Sequence, residues 1–211
     1  MQLEESSQKA EGLAIEAVHD EISQCRICES EVRGFGKPAR LDRGEPGRLA
    51  VIGQGPGRAE LKGTRAFAGQ SGRTLDSWLV ACGADARKPR AGVYFTSVIK
   101  CVGSEGKFPL MAKNCAPFLQ RQILQVRPAL IITLGRRAYE ALRVVDDAYE
   151  DALCNPLETA NFVLVTPFGF HYTLLHWPHP SGLNRWLNLP ANRERLERSF
   201  DCVRQFLGST K

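Results

Sequence analysis

At 211 residues, 43% of them hydrophobic, the chain can bury one full core, and it contains neither an apolar run long enough to cross a bilayer nor a charged-then-apolar leader. These features exclude a membrane or secreted class and predict a soluble, cytoplasmic, monomeric protein with a single domain over residues 1–211. The net charge of +5, from 28 basic and 23 acidic residues, suits a phosphate-bearing partner but is too modest to identify one.

In chain order, Leu13, Ile15, Val18 and Ile22 recur at helical spacing with acids between them, predicting a short amphipathic helix that ends at Cys25. Residues 33–47 are rich in Gly, Pro and Arg without periodicity and read as a surface loop. A buried strand, Leu49–Ile52, follows, then a glycine-rich loop and a helix from Ser71 to Cys82 with Leu75, Trp78 and Leu79 on one face. The pattern repeats. Val93–Ile99 reads as a strand, Ala116–Val126 as a helix, Ala129–Leu134 as an apolar strand and Arg136 to about Arg143 as a helix. A last β region covers Phe162–Val165 and Tyr172–Leu175, and a basic helix spans Ala191–Leu207. Strands apolar on both faces and alternating with helices predict a mostly parallel sheet covered on each side, with ligands bound beyond the strands' carboxyl ends.

The seven cysteines, an odd number, fit a reducing compartment. Cys25 and Cys28 form C-x-x-C, while Cys101 and Cys115 follow separate elements downstream; four thiolates so distributed read as a metal or iron–sulfur site rather than disulfides. Cys82, Cys154 and Cys202 read as small buried hydrophobes.

Two loops at strand ends carry the polar chemistry. The first, GQGPGRAELKGTRAFAGQSG after Ile52, lets the backbone approach an anion or a planar base closely, yet it is neither a Rossmann fingerprint nor a P-loop. A tight turn without a ligand is the alternative. In the second, His176–Arg185, two prolines fix His179 while Ser181, Asn184 and Arg185 can reach a phosphate or sugar.

With these pieces in order the chain resembles the uracil-DNA glycosylase superfamily, most closely its iron–sulfur branch, family 4. The resemblance runs from Cys25 to about Arg185 through C-x-x-C, G-x-G-P-G with F-A-G-x-S-G-x-x-L-D behind it, V-I-K-C and H-P-S-G-L. It implies a three-layer α/β/α fold around a mostly parallel four-stranded sheet, and a [4Fe–4S] cluster on Cys25, Cys28, Cys101 and Cys115 that staples the N-terminal segment to the core; a zinc site is the alternative. It also implies a monofunctional glycosylase acting on single- or double-stranded DNA, which flips a base and hydrolyses its glycosidic bond through an oxocarbenium-like transition state. By this resemblance His179 donates to the base oxygen beside the scissile bond, and Phe67, with Gly55, receives the flipped base. Gly69, Ser71 and Gly72 meet phosphate, and Leu183 wedges into the vacated stack.

Two positions depart from the family pattern. Gln54 stands where an acid is usual; an amide can orient water but cannot take its proton. Glu60 is the nearest carboxylate in sequence, read either as a catalytic or site-organising group or as a solvated loop acid. Ser97 replaces the asparagine that reads uracil, leaving volume beside the base, so the expected substrate is a non-canonical pyrimidine, uracil or a bulky modified cytosine such as some phage genomes carry. The corresponding roles are base-excision repair or defence against modified phage DNA. The stretch VGSEGKFPLMAKN lacks the histidine of covalent-trapping members, so no stable DNA link is expected. The C-terminal helix interleaves Arg193, Arg195, Arg198 and Arg204 with Glu194 and Glu197 and reads as a solvated face. Two other classes stay open: a catalytically weak DNA-binding or damage-sensing member of the fold, and a nucleoside enzyme on a similar sheet.

Overall fold

The computed structural model describes residues 15–32, 38, 43–44, 46–61, 65–102, 105–145, 163–165, 170 and 172–208. Three strands, β1 (Leu49–Gly53), β2 (Val93–Ser97) and β3 (Leu130–Leu134), are buried at every position. Strands buried on both faces need a layer on each side. They join β4 (Val163–Val165) and β5 (Tyr172–Trp177) in one sheet of order β2-β1-β3-β5-β4. The β2-β1-β3-β5 core is parallel, Val51 standing opposite Phe95 and Ile132, and β4 is antiparallel to β5. The four-stranded parallel sheet read from the sequence is therefore present, with one antiparallel strand added at its edge.

The helices divide between the two faces. On one, Ala50, Ile52, Tyr94, Ile131 and Leu174 pack against α1 (described over residues 15–24), α3 (Phe108–Val126) and α4 (Arg136–Val145). On the other, Val51, Phe95, Ile132 and Trp177 pack against Leu75 and Leu79 of α2 (Gln70–Ala81) and Leu196, Phe200 and Val203 of α5 (Pro190–Gly208). No helix among the described residues is long and apolar enough to cross a membrane.

Boundaries moved where proline or ladder bonds mislead a periodicity argument. Helix α3 begins at Phe108 rather than Ala116, because Pro109 occupies its first turn, where no N–H partner is needed, and Pro117 is carried in its interior. Strand β2 ends at Ser97, and the chain then bends at Val98–Lys100. Strand β5 continues through His176 and Trp177, which belong to the sheet rather than to the loop. Within the expected 33–47 loop, Pro38 bridges Cys101 and the Arg43 carbonyl accepts from Phe95 N at 2.6 Å, so this segment covers the outer edge of β2. Most of that loop, Leu13, Cys154 and Phe162 lie outside the described residues.

The face under α3 holds a buried polar group. Lys100, 1% exposed, donates to Thr96 Oγ1 at 3.0 Å, to Gln122 Oε1 at 2.7 Å and to the Ser97 carbonyl. Gln122 Nε2 in turn donates to Tyr94 Oη at 2.9 Å, and His19 Nε2 shares that hydroxyl at 2.8 Å. An ammonium out of water is tolerated only when its donors are met. Gln122→Leu removes one acceptor from the charge and should cost about 2–4 kcal/mol of unfolding free energy, read from the urea midpoint at unchanged slope.

Candidate active site at the carboxyl ends of the strands

The β1–β2 ladder runs on past the strands: Val98 N donates to Gly53 O at 2.9 Å and Ile99 N to Gln54 O at 3.0 Å. Gln54 is thus fixed by its backbone with its side chain half-buried. A Cβ at Gly55 would collide with the Ile99 side chain, so only glycine lets the loop lie this close to β2. Beyond it, the Glu60 carboxylate accepts from Gly57 N at 2.9 Å and from Ala68 N at 2.8 Å. Glu60 is therefore a staple closing the loop between Gln54 and Phe67, and neither a solvated loop acid nor a free base.

Phe67 has φ of 52°, an uncommon conformation for a side-chain-bearing residue and one that surrounding groups must enforce. Arg90 enforces it. Its guanidinium donates to Ala66 O at 2.5 Å and to Phe67 O at 3.0 Å, pairs with Asp76 Oδ1 at 2.5 Å and lies 5.2 Å over the Phe95 ring. The Phe67 ring rests on Gly53, where a Cβ would stand 2.8 Å from Cζ, and meets Phe95 edge-on at 5.9 Å. Gly72 lies directly beneath the Phe67 carbonyl, with no room for a Cβ. Gly69 is the N-cap of α2 without a side-chain cap, and Ser71 sits in a first turn free of acids, an arrangement that favours an anion there.

Ser97, at the end of β2, is 7% exposed and gives its hydroxyl to Ile99 O at 2.8 Å. It lines a small pocket with Gly55, Glu60, Phe67, Thr96 and a residue that motif reasoning missed, Arg43. Arg43 is 5% exposed, and burial pulls its pKa below the usual arginine value. Neither Arg43 nor Arg90 falls in a periodic or motif stretch. The only sequence hint was a charged residue beside a turn proline or glycine.

The loop after β5 brings up His179, half-buried, whose pKa burial lowers, favouring the neutral ring. It packs on Gly135 at the end of β3, where φ is 81° and a Cβ would stand 3.2 Å from His179 Cβ. Asn184 is committed inside the loop: Nδ2 donates to His179 O at 2.9 Å and Oδ1 accepts from Trp186 N at 3.1 Å. Ser181 Oγ accepts from Leu183 N at 3.2 Å, leaving Leu183 91% exposed and Arg185 on the surface. His176 packs on Tyr139 at 4.9 Å with its pKa lowered by burial to about 4.

Cys28, Cys101 and Cys115 are buried, Cys25 partly so, and Asn114 Nδ2 donates to Cys28 Sγ at 3.4 Å. Burial first, then neighbouring Cys115, Cys25 and Cys28, pushes the Cys101 thiol up to about 12; Cys115 is raised by burial and by Cys28 and Cys25. Thiols that disfavour one another's ionisation are suited to a cationic centre that would neutralise them. Among the described residues no three His, Cys, Asp or Glu side chains group closely enough for one metal ion. Four thiols, three of them buried, are the donor set that an iron–sulfur or other thiolate-bound centre would need. Cys82 and Cys202 are buried, as expected of small hydrophobes.

The Phe67 clamp reverses an ordinary substitution effect. Gly→Ala inside a helix normally stabilises by up to about 1 kcal/mol. Gly72→Ala should instead destabilise by about 1–3 kcal/mol, measured by thermal melting, because its Cβ collides with the Phe67 carbonyl.

Residues 43–201 match the family model described as the uracil DNA glycosylase superfamily. The type-4 uracil-DNA glycosylase of Archaeoglobus fulgidus is 31% identical over 197 residues, covering 89% of this chain and 90% of the relative. That of Saccharolobus solfataricus is 26% identical over 200 residues, covering 92% and 87%. A solved UNG structure from Nitratifractor salsuginis superposes with a TM-score of 0.40 at 12% identity, covering 74% of this chain and 73% of that one. By this match over most of its length, the chain belongs to the uracil DNA glycosylase superfamily, in its type-4 branch.

Proposed function

We propose that the protein is a monofunctional DNA N-glycosylase that flips a non-canonical pyrimidine, uracil or a modified cytosine, out of DNA and hydrolyses its N-glycosidic bond, leaving an abasic site. The observation that carries this reading is that, at the carboxyl edge of one parallel sheet, the loop after β1 presents a clamped aromatic face at Phe67 and the loop after β5 a half-buried histidine, His179, whose pKa burial lowers. A flipped base stacks on Phe67 above Gly53 and Gly55. As the glycosidic bond lengthens, negative charge gathers on the departing base, and an N–H of neutral His179 donates to the oxygen beside that bond. An imidazole already neutral serves as this donor without first losing a proton. Gln54 orients the water by its amide, with Glu60 holding the loop that sets its position. No proton acceptor stands at Gln54, so water attack relies on the cationic character of the sugar more than on base catalysis.

Phosphate contacts fall to the Gly69–Gly72 helix start, Ser181 and Arg185, with Leu183 filling the vacated stack. Cys25, Cys28, Cys101 and Cys115 would hold a [4Fe–4S] cluster whose contribution is structural, tying the segment after α1 to the end of β2 and to α3. Such a protein acts as a monomer in the cytoplasm, in base-excision repair or against modified phage DNA.

The direct test is mass spectrometry of bases released from DNAs containing uracil, 5-hydroxymethylcytosine and its glucosylated form. His179→Ala should slow release by about 100- to 1,000-fold, the usual effect of losing one transition-state donor; near-full release by that variant would remove the role assigned to His179. The pH dependence carries a sign. Because burial depresses the His179 pKa, the active neutral form persists as pH falls through the ordinary histidine range, and single-turnover rates should decline only below pH about 6.5.

A further inference from the structure

Arg43, buried and lining the pocket, and Arg90, partly buried behind Phe67, differ in how their donors are used. Arg90 has its donors taken by Ala66 O, Phe67 O and the Asp76 carboxylate. Arg43 has none of its side-chain donors taken by any described residue, although it is 95% buried and its own carbonyl is bonded to Phe95 N. A permanently charged group carrying five N–H donors is costly to hold out of water without acceptors. Arg43 lines the recess formed by Phe67, Ser97 and Gly55, about 20 Å³ in volume, so an acceptor atom of a base stacked on Phe67 that projects into it can supply them.

The wall opposite Phe67 has no competing reader. The Ser97 hydroxyl is given to Ile99 O, and Thr96 Oγ1 is engaged with Gln122 and Lys100. We propose that Arg43 is the specificity-determining residue of this pocket, reading a hydrogen-bond acceptor on the 4-edge of the flipped pyrimidine. This inference rests on the glycosylase reading given above. Guanidinium is donor-only. It therefore favours a base presenting a carbonyl at C4 and opposes one presenting an amino group there, so of the two substrates proposed above Arg43 selects uracil over a cytosine whose only change is a neutral group on C5. A carboxylate on C5 of cytosine offers acceptors to the same guanidinium and is the other source of this chemistry.

The test combines variants with base analogues, using the full-length, cluster-loaded protein. Arg43→Met keeps length and the backbone bond to Phe95 but removes every donor; Arg43→Lys keeps charge and some donors. With uracil-containing DNA under single-turnover conditions, Arg43→Met should lose about 10- to 100-fold, the discrimination expected of a bidentate base contact, and Arg43→Lys should recover part of that loss. Absorbance near about 400 nm and affinity for abasic product DNA should be unchanged, since neither depends on the 4-edge. A second measurement needs no variant: wild-type affinity for DNA carrying uncleavable 2′-fluoro nucleotides should fall about tenfold when uracil is replaced by 2-pyrimidinone, which lacks O4.

Full activity of Arg43→Met on uracil, or equal affinity for the two analogues, overturns the assignment. Faster release of 5-carboxylcytosine than of uracil overturns the O4 reading in favour of a carboxylate partner. If the wild type releases no base from any DNA, the glycosylase reading fails, while the analogue affinities still decide whether Arg43 reads the 4-edge.

Discussion

The buried ammonium of Lys100 is the constraint on which the rest of the site depends. It lies between two features that have no other reason to be neighbours: Cys101 follows it directly, and Ser97, at the end of β2, offers it a carbonyl. A charge this deep is stable only while all its acceptors stay in place, so Thr96, Ser97 and Gln122 are held to one arrangement. Burial lowers its pKa most, Arg43 lowers it further, and Cys115 and Cys101 raise it. Thiolates at those positions, as in the proposed cluster, would favour the ammonium. The cluster corner and the pocket wall are in this way parts of one electrostatic unit.

The pocket shows how one residue type serves opposite ends. Arg90 is saturated, and its bonds keep Phe67 in a left-handed conformation that the residue would not adopt alone. Arg43 is more deeply buried, and no described residue takes its side-chain donors, which suits it to the recognition role proposed above rather than to bracing. Glu60 resembles Arg90 in this sense: both carboxylate oxygens are used on backbone N–H groups, leaving the loop rigid and the acid with no oxygen uncommitted. Scaffold and reader are told apart by whether their hydrogen-bonding capacity is already met.

Much of this was legible in the chain. The strands read as Leu49–Ile52, Val93–Ile99 and Ala129–Leu134 announced themselves because a strand buried on both faces reads as a near-continuous apolar run, and the structure places them at Leu49–Gly53, Val93–Ser97 and Leu130–Leu134. The glycines at 55 and 72 marked close approaches that the structure locates against Ile99 and Phe67. The start of α3 was hidden by Pro109, which resembles a break until it is known to fall in the first turn. Glu60 could not be assigned between two roles, because its partners are backbone N–H groups and backbone groups leave no trace in composition. Arg43 was invisible for a related reason. It comes from an aperiodic loop, and only the pairing of that loop with β2 carries it to the pocket.

The same pairing argues that cluster and substrate selection are linked through the edge of β2. Pro38 bridges Cys101, a ligand of the proposed cluster, and Arg43, five residues on, pairs with Phe95 by its backbone and lines the pocket. Gly44 makes that fit possible, since its φ of 73° and its closeness to the Val93 carbonyl exclude a side chain. Loosening Cys101 would then free the segment that positions Arg43 before it disturbed His179, which is fixed independently by Gly135 and Asn184. A cluster held as proposed would in this position bear on which base is accepted, while the group proposed to assist bond cleavage stays anchored to β3 and β5.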